Sequence, residues 1–577
     1  MQKKWLLKQN DLSAAENFSE INAPDFIKNI LINRGIKTKE EAEKFLNPDY
    51  NKLLNPFLML NMERGARRII SAIHNNEKIV IYGDYDADGI CGAAVFYSFF
   101  KALNYENFEV YIPNRYEDGY GLNFSALDEF AEKKINLIIT VDCGICDIEE
   151  TKKARKFGID VIITDHHLPQ DTIPDAVAVI DPHQKNDDYE FKELCGAGVA
   201  FKVVSAVLKI ENFGLSENWE KWLLDLVALA TVADMSSLKD ENRILTYYGI
   251  KVLKKTRRLG LQSLLKKAKV SVETLNTEDI AYFIAPRLNA ASRVAHANTS
   301  FSLIAAETIS EAEEMAASLE EKNNERKKMV EAVTNEAREK IDTAAEIIIL
   351  GNEAWSAGIL GAAASRLIEE FNKPIFLWGK GDAKEIKGSS RSNGVDLVEL
   401  MKNIDAGIFL DFGGHKLAAG FSLKEGTTKI FEKEIYEAWK KMPKQITENV
   451  LEIDTETTLD AVTAQNFFYL DKIEPSGKGN SKPIFLFKNL TIENIKAFGN
   501  GGIHLELTFK KSNGDLVRAI GFFMYKSLCS NYFDGTASAL SVIKIKDTID
   551  LVASFDKNYF NGKIEYRLKI IDLKIAH

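Results

Sequence analysis

At 577 residues, with 45% hydrophobic and 27% charged residues, the chain has apolar material for several packed domains and none of the bias of a disordered or fibrous one. Its net charge of −10 argues against binding a polyanion through bulk charge and leaves local patches as the route. Five cysteines exclude a disulfide framework and fit a reducing cytoplasm, and no run approaches the ~20 apolar residues of a membrane-spanning helix.

Residues 1–75 read mostly helical, with amphipathic stretches around 23–34 and 38–46; Thr38 and Glu41 open the second in a capping-box pattern. The opening, MQKKWLLKQNDLSAAENF, lacks the apolar core and cleavage signal of a secretory peptide. Between 78 and 235 short apolar runs alternate with helical patterns, at 78–83, 107–112, 136–141, 160–164 and 176–180. Such alternation predicts βαβ units and a parallel sheet, in which ligands collect beyond the carboxyl ends of the strands. The residues following the runs carry the chemistry that rule calls for. Asp84, Asp86 and Asp88 follow the first, and Asn114, Arg115, Glu117 and Asp118 the second. Asp142 follows the third, Asp165, His166 and His167 the fourth, and Asp181 and His183 the fifth.

The first of these stretches, KIVIYGDYDADGICGAAV at 78–95, reads as a buried strand, a tight acidic turn and a helix whose near face is made of small residues. Three aspartates in five residues repel one another, so converging them calls for a cation, and hard oxygen ligands favour Mg²⁺ or Mn²⁺. Cys143 and Cys146 form a lone CxxC beside Asp142; zinc would need a second pair, so both read as structural.

Residues 195–210 read as a glycine-started buried helix, and 222–238 as a long apolar helix ending in Asp234, which is either a cap or a further ligand. The run 251–269 carries eight Lys/Arg and no Asp or Glu; it suits a solvated helix face as well as a phosphate track. Arg287, Asn289 and Arg293 lie in the Pro-broken segment 281–293. Residues 310–343 predict a highly charged helix with a thin apolar stripe, a solvent-washed connector of roughly 50 Å at ~1.5 Å per residue. A second α/β unit starts at 346 and carries Gly388-Ser389-Ser390-Arg391-Ser392 and Gly413-Gly414-His415-Lys416, glycine-bracketed clusters suited to phosphate oxyanions. Beyond 448, alternating runs predict a small all-β barrel or sandwich, and an OB-fold is the natural form beside a nucleic-acid enzyme.

Assembled in this order, the chain resembles the RecJ single-strand-specific exonucleases of the DHH phosphoesterase superfamily over nearly its whole length. The matching motifs are GDYDADG, PNRYEDGYGL, VDCG, TDHHLP, CGAGVAFK, ALATVAD, APRLNAASR, GSSRS, GGHKLAAGF and EPSGKGNSKPIF. The resemblance implies two α/β domains (DHH and DHHA1) with parallel-type sheets joined by a long helix, plus a C-terminal all-β OB-like domain. The implied divisions are a helical segment at 1–75, the DHH domain at 76–309, the connecting helix at 310–343, DHHA1 at 344–447 and the OB-like domain at 448–577.

The activity implied is 5′→3′ hydrolysis of single-stranded DNA to 5′ mononucleotides by a two-metal mechanism, in DNA repair and recombination. Asp84, Asp86, Asp88, Asp142, His166 and Asp234 would hold two Mn²⁺ or Mg²⁺ ions, with His167 close by, either supporting the ligands or contacting the scissile phosphate. The mixed oxygen-and-imidazole set tilts the metal toward Mn²⁺. Arg115, Arg287, Asn289 and Arg293, with Ser389, Ser390, Arg391, Gly413, Gly414 and His415 in the second domain, would hold DNA phosphates. Expected partners are single-stranded DNA, a single-strand-binding protein and a helicase, with no membrane; a cytoplasmic monomer is the expected state. Two sites depart from the family pattern: Ser356 stands where His is usual, and Ala285 and Ser292 stand where glycines are. A phosphodiesterase of short oligonucleotides or cyclic dinucleotides is an alternative, but it would need neither the long connector nor the β domain. A catalytically silent single-strand-binding scaffold is another, and loss of metal ligands would mark it.

Overall fold

A computed structural model describes residues 3–9, 18, 21–115, 118–294, 298–381, 385–442, 450–499, 502–524, 543–560 and 563–576. Glu117 lies outside the described residues. The first α/β domain is built on a five-stranded, wholly parallel sheet. Its strands run in the spatial order Phe108–Tyr111, Ile79–Gly83, Leu137–Val141, Asp160–Thr164 and Ala178–Ile180. Every residue of Ile79–Gly83 and of Leu137–Val141 is buried, so these runs show no alternation, as strands covered on both faces should not. Ile79, Ile81 and Ile139 face the helices Met62–His74, Ala87–Ala102 and Gly196–Ile210. Val80, Tyr82 and Ile138 face Phe124–Glu132 and Ile148–Lys156.

The small residues after the acidic turn let that helix close on the sheet. A Cβ on Gly89 would fall 2.5 Å from the Asp84 backbone nitrogen, and one on Gly92 would fall 2.4 Å from Val141 Cγ1. The basic run, by contrast, is spoken for at several positions. Arg258 pairs with buried Asp225 at 3.3 Å, Arg257 stacks on Trp222 and Lys251 on Tyr247.

The connecting helix runs Ile309–Lys340, opened by a capping box of Thr308 and Glu311. It is not solvent-washed. Ala312, Ala316 and Leu319 are buried, the latter two in the first domain's core, while Val330, Val333 and Ala337 are buried against the second domain. Its stripe is thin because small residues suffice where helix packs on helix, and the charge belongs to the opposite face.

In the second α/β domain the parallel arrangement holds for one pair, Ile348–Ser356 with Ile375–Lys380. Ile386–Arg391, Ala418–Leu423 and Phe409–His415 then add antiparallel. The last two are joined by only Lys416 and Leu417, a connection that permits no parallel pairing. Among the described residues, the C-terminal domain is a seven-stranded, mostly antiparallel sheet with one α-helix, Ala464–Asp471. The N-terminal segment divides between domains. Ile27, Ile30 and Leu31 join the core of the β domain, whereas Met62–His74 packs on the first sheet. The segment also opens with a strand, Lys4–Leu7, parallel to Val450–Ile453.

Candidate metal centre

The carboxyl rim of the first sheet gathers the acidic and imidazole groups from five separate elements. Asp84 follows its strand, and Asp86 caps the following helix by accepting the backbone N–H groups of Asp88 and Gly89 at 2.8 and 3.2 Å. Asp88 reaches the start of Gly196–Ile210, where its oxygens accept the amides of Gly196 and Ala197, both at 2.7 Å. Asp142 follows its strand in a left-handed conformation (φ +62°). A Cβ on Gly196 would lie 2.6 Å from Asp142 Cβ, which is why the helix beneath begins with glycine. Asp234 caps the C-terminus of Leu224–Ala233 and accepts the Ser236 hydroxyl at 2.5 Å.

Ligand atoms of Asp84, Asp86 and Asp142 lie within 4.8 Å of one another, as do those of Asp88, His166 and Asp234, and those of Asp142, His166 and His167. Asp142 belongs to two of these groups, and its Oδ1 lies 3.0 Å from His166 Nε2. Asp84 Oδ1 and Asp142 Oδ1 are buried without a hydrogen-bond partner. Burial, then the charge of Asp86, pushes the Asp84 carboxyl up to about 8. Burial followed by Asp234 raises Asp88, and burial followed by Asp88 raises Asp142. Burial, then neighbouring His167, lowers His166, favouring the neutral ring that ligates metal. Unpaired buried carboxylates that repel one another, beside a neutral imidazole, are what divalent cations would satisfy, and the donor set suits Mn²⁺ or Mg²⁺.

Arg115, Asn289 and Arg293 line the same cavity, of about 250 Å³, as Asp84, Asp142 and Asp234. Arg115 is held over the Tyr85 ring at 5.0 Å. Asn289 accepts the Ala87 amide at 2.8 Å. Arg293 donates to the Gly358 carbonyl at 3.0 Å, tying the cavity to the first turn of Ala357–Phe371 in the second domain. Ser356 immediately precedes that helix and makes no side-chain cap. Arg287 goes elsewhere: it is buried, ion-paired with Glu320 of the connecting helix and bonded to the Phe283 carbonyl at 2.7 Å. Tyr282 and Phe283 stand exposed in the π-helical turn Ile280–Ile284 that leads to Asn289.

The second domain sets its motifs side by side. Ser389, Gly420 and Gly413 are registered across three strands, as are Arg391, Ala418 and His415. Arg391 donates to Ser389 Oγ at 3.0 Å and to Ser365 Oγ at 3.2 Å, and burial without a carboxylate partner lowers its pKa. Ser390 faces inward, bonded to the Ala419 carbonyl, while Gly413, Gly414 and His415 are exposed.

Sequence reasoning set Asp165 on the rim without giving it a role and did not single out Tyr120. Asp165 is fully buried and accepts the His166 amide at 2.7 Å, the Ile145 amide at 2.9 Å and His167 Nδ1 at 2.8 Å. Tyr120 donates to the Asp142 carbonyl at 2.9 Å and lies 3.0 Å from His167 Nδ1. The DHH triplet carried the signal for Asp165, and PNRYEDGYGL contains Tyr120 without marking it as a site residue. Cys143 is buried and Cys146 exposed, and neither joins the cluster of ligand atoms.

Residues 78–231 match the DHH family, N-terminal domain, 343–448 the DHHA1 domain and 453–572 the RecJ OB domain. The chain is 35% identical over 526 residues to the single-stranded-DNA-specific exonuclease RecJ of Bacillus subtilis, covering 90% of this chain and 66% of that protein. It is 33% identical over 432 residues to the protein of the same name from Escherichia coli, covering 71% of this chain and 74% of that one. The crystal structure of RecJ from Thermus thermophilus in complex with Mn²⁺ matches with a TM-score of 0.82 at 25% identity, over 100% of this chain and 80% of that one.

Proposed function

The chain belongs to the RecJ family of single-stranded-DNA-specific exonucleases, and on that premise we propose that it is a metal-dependent exonuclease hydrolysing single-stranded DNA from the 5′ end to 5′ mononucleotides. One observation carries the reading: Asp84, Asp86, Asp88, Asp142, His166 and Asp234 converge on one rim, two of the buried oxygens without a hydrogen bond in the protein. No member of the expected ligand set has been replaced, which argues against a silent scaffold. Divalent cations held there would act as Lewis acids on the phosphodiester and acidify a bound water.

The chain's own groups do the rest. Asp165 orients His167, leaving the other ring nitrogen to donate to a phosphate oxygen. Arg115 and Arg293 offset phosphate charge within the cavity, and Arg391 with Ser389 is suited to gripping a second phosphate. With Arg287 tied to Glu320, the grip falls to the other arginines. A cytoplasmic setting, with a single-strand-binding protein and a helicase as partners, belongs to the same reading.

The test is digestion of a 5′-phosphorylated single strand, a duplex and a dinucleotide in Mn²⁺, with Asp142→Asn beside the parent protein. The single strand should be the best substrate and the variant inactive. Faster turnover of the dinucleotide would sink the long-strand reading, and an active variant would sink the metal site.

A further inference from the structure

The chain between Asp234 and the helix Asp240–Leu253 has no regular structure of its own, yet it follows a metal-site carboxylate directly. Met235 is left-handed (φ +59°) and exposed. Ser236 donates its hydroxyl to Asp234 Oδ2, and its amide bonds the Thr231 carbonyl at 3.1 Å. What the next residues lean on comes from the C-terminal β domain, more than 200 residues away in sequence. The Leu238 amide donates to the Lys478 carbonyl at 2.8 Å. A Cβ on Gly477 would fall 2.7 Å from Leu238 Cδ1, and one on Gly479 would fall 2.4 Å from Ser237 Oγ.

Residues 476–480 are stiff enough to act as a wall. Gly477 and Asn480 exchange backbone hydrogen bonds at 2.8 and 3.1 Å, and the buried Asn480 amide donates to the Ile473 and Pro475 carbonyls at 2.9 and 2.7 Å. The turn is also fastened to the first domain from either side. Thr277 donates to the Ser476 carbonyl at 2.5 Å, and Arg243 to the carbonyls of Lys472 and Ile473, both at 2.8 Å.

We propose that this turn is a positioning element of the metal centre: residues 477–480 clamp Ser237 and Leu238, and through Ser236 they fix the carboxylate of Asp234. The β domain then sets the metal affinity of a site it does not enter. The inference rests on the proposed metal centre. It makes Gly477 and Gly479 positioning residues: a Cβ there would press on Leu238 Cδ1 and Ser237 Oγ, and Gly479 is also left-handed (φ +76°), where a side chain is strained.

The experiment compares the full-length parent with Gly479→Ala and with Gly479→Ala/Ser237→Gly, which removes the hydroxyl the new methyl would meet. Mn²⁺ binding is read by electron paramagnetic resonance without nucleic acid, and kcat and KM on a 5′-phosphorylated dinucleotide, a substrate too short to need the β domain. Gly479→Ala should weaken Mn²⁺ binding about tenfold, the loss typical of a residue supporting a ligand. Its dinucleotide kcat should fall at limiting Mn²⁺ and recover in excess, with KM unchanged, and the double variant should regain most of the affinity. A folded Gly479→Ala protein with parental Mn²⁺ affinity overturns the proposal, as does a double variant no better than the single. If Gly479→Ala does not fold, Thr277→Val loosens the same turn without adding bulk, and parental affinity there also overturns it. A parent protein that binds Mn²⁺ but digests no single strands would refute the proposed activity instead, leaving this comparison intact.

Discussion

Asp84→Asn should make the metal-free protein more stable while removing its response to metal. Asp84 is 4% exposed, and burial with the nearby charge of Asp86 raises its pKa from 3.8 to about 8. The folded chain without metal therefore holds a proton that the unfolded chain releases between those values. The stability this group contributes is full below its unfolded pKa and is lost as pH rises through about 8. At pH 7 roughly three pH units separate the medium from the unfolded value; at 1.36 kcal/mol per unit the bound is about 4 kcal/mol. Asp88 and Asp142 share the same repulsion, so about 2 kcal/mol is the working figure for one residue. Asparagine keeps the shape and an acceptor oxygen and removes the charge. At roughly 2–4 °C per kcal/mol, Asp84→Asn in EDTA should melt about 4–8 °C above the parent at pH 7, with the gap closing toward pH 4. Mn²⁺ should raise the parent's Tm more at pH 8 than at pH 5.5, because fewer protons then compete, and should raise the variant's little. Differential scanning fluorimetry across that pH range reads both. A variant less stable than the parent in EDTA, or one with the full Mn²⁺ gain, would refute the account of a frustrated carboxylate cluster.

Two further outcomes follow from side chains on the helical segment 280–293. Tyr282 and Phe283 are exposed one to two turns from Asn289 and suit base stacking at ~1–3 kcal/mol per base. Tyr282→Ala/Phe283→Ala should raise KM for long single strands about 5- to 100-fold and leave dinucleotide turnover unchanged; equal losses on both substrates would mark a distortion of the helix. Arg287→Gln should cost about 1–3 kcal/mol by removing buried Arg287's charged bonds to half-buried Glu320 and the Phe283 carbonyl, with KM within twofold of the parent. A tenfold rise in KM at unchanged Tm would return Arg287 to the substrate-binding set.

The rim of carboxylates and imidazoles was legible because most of it is concentrated at strand ends. An apolar run followed at once by a carboxylate, four times over, locates a rim whatever the details of packing. What stayed illegible depends on which surfaces meet. The stretches 23–34 and 38–46 announce an amphipathic face, but nothing in their period says that Ile27 and Leu31 pack against Phe485 and Leu507 rather than the nearest sheet. Arg287 and Arg293 look equivalent in APRLNAASR, yet six residues on this helix turn one toward Glu320 and the other toward Gly358. The connecting helix misled for the same reason, because alanines bury well and barely register as an apolar stripe. Asp165, finally, read as a neighbour of the ligand histidine, since a buried orienting group carries no mark that separates it from a ligand.

That distinction can be tested at Asp165 itself. Burial alone would lower the pKa of His167; its hydrogen bond to Asp165 and the charge of that carboxylate outweigh burial and raise it to about 9. At neutral pH the ring is then an imidazolium, with Nδ1–H directed to Asp165 and Nε2–H free to donate to a phosphate oxygen. A raised pKa means that this donor form persists through neutrality and is lost as pH rises through the folded-state value. In Asp165→Asn the anion is gone and burial prevails, so the pKa of His167 should fall. The alkaline limb of kcat, measured with saturating Mg²⁺ between pH 6 and 9.5, should move down by at least one unit. Bound cations would displace both limbs toward lower pH without reversing their order. Weakened metal binding with coincident limbs would mean that Asp165 serves only to hold the loop that carries His166, and that the proton on His167 plays no part in turnover.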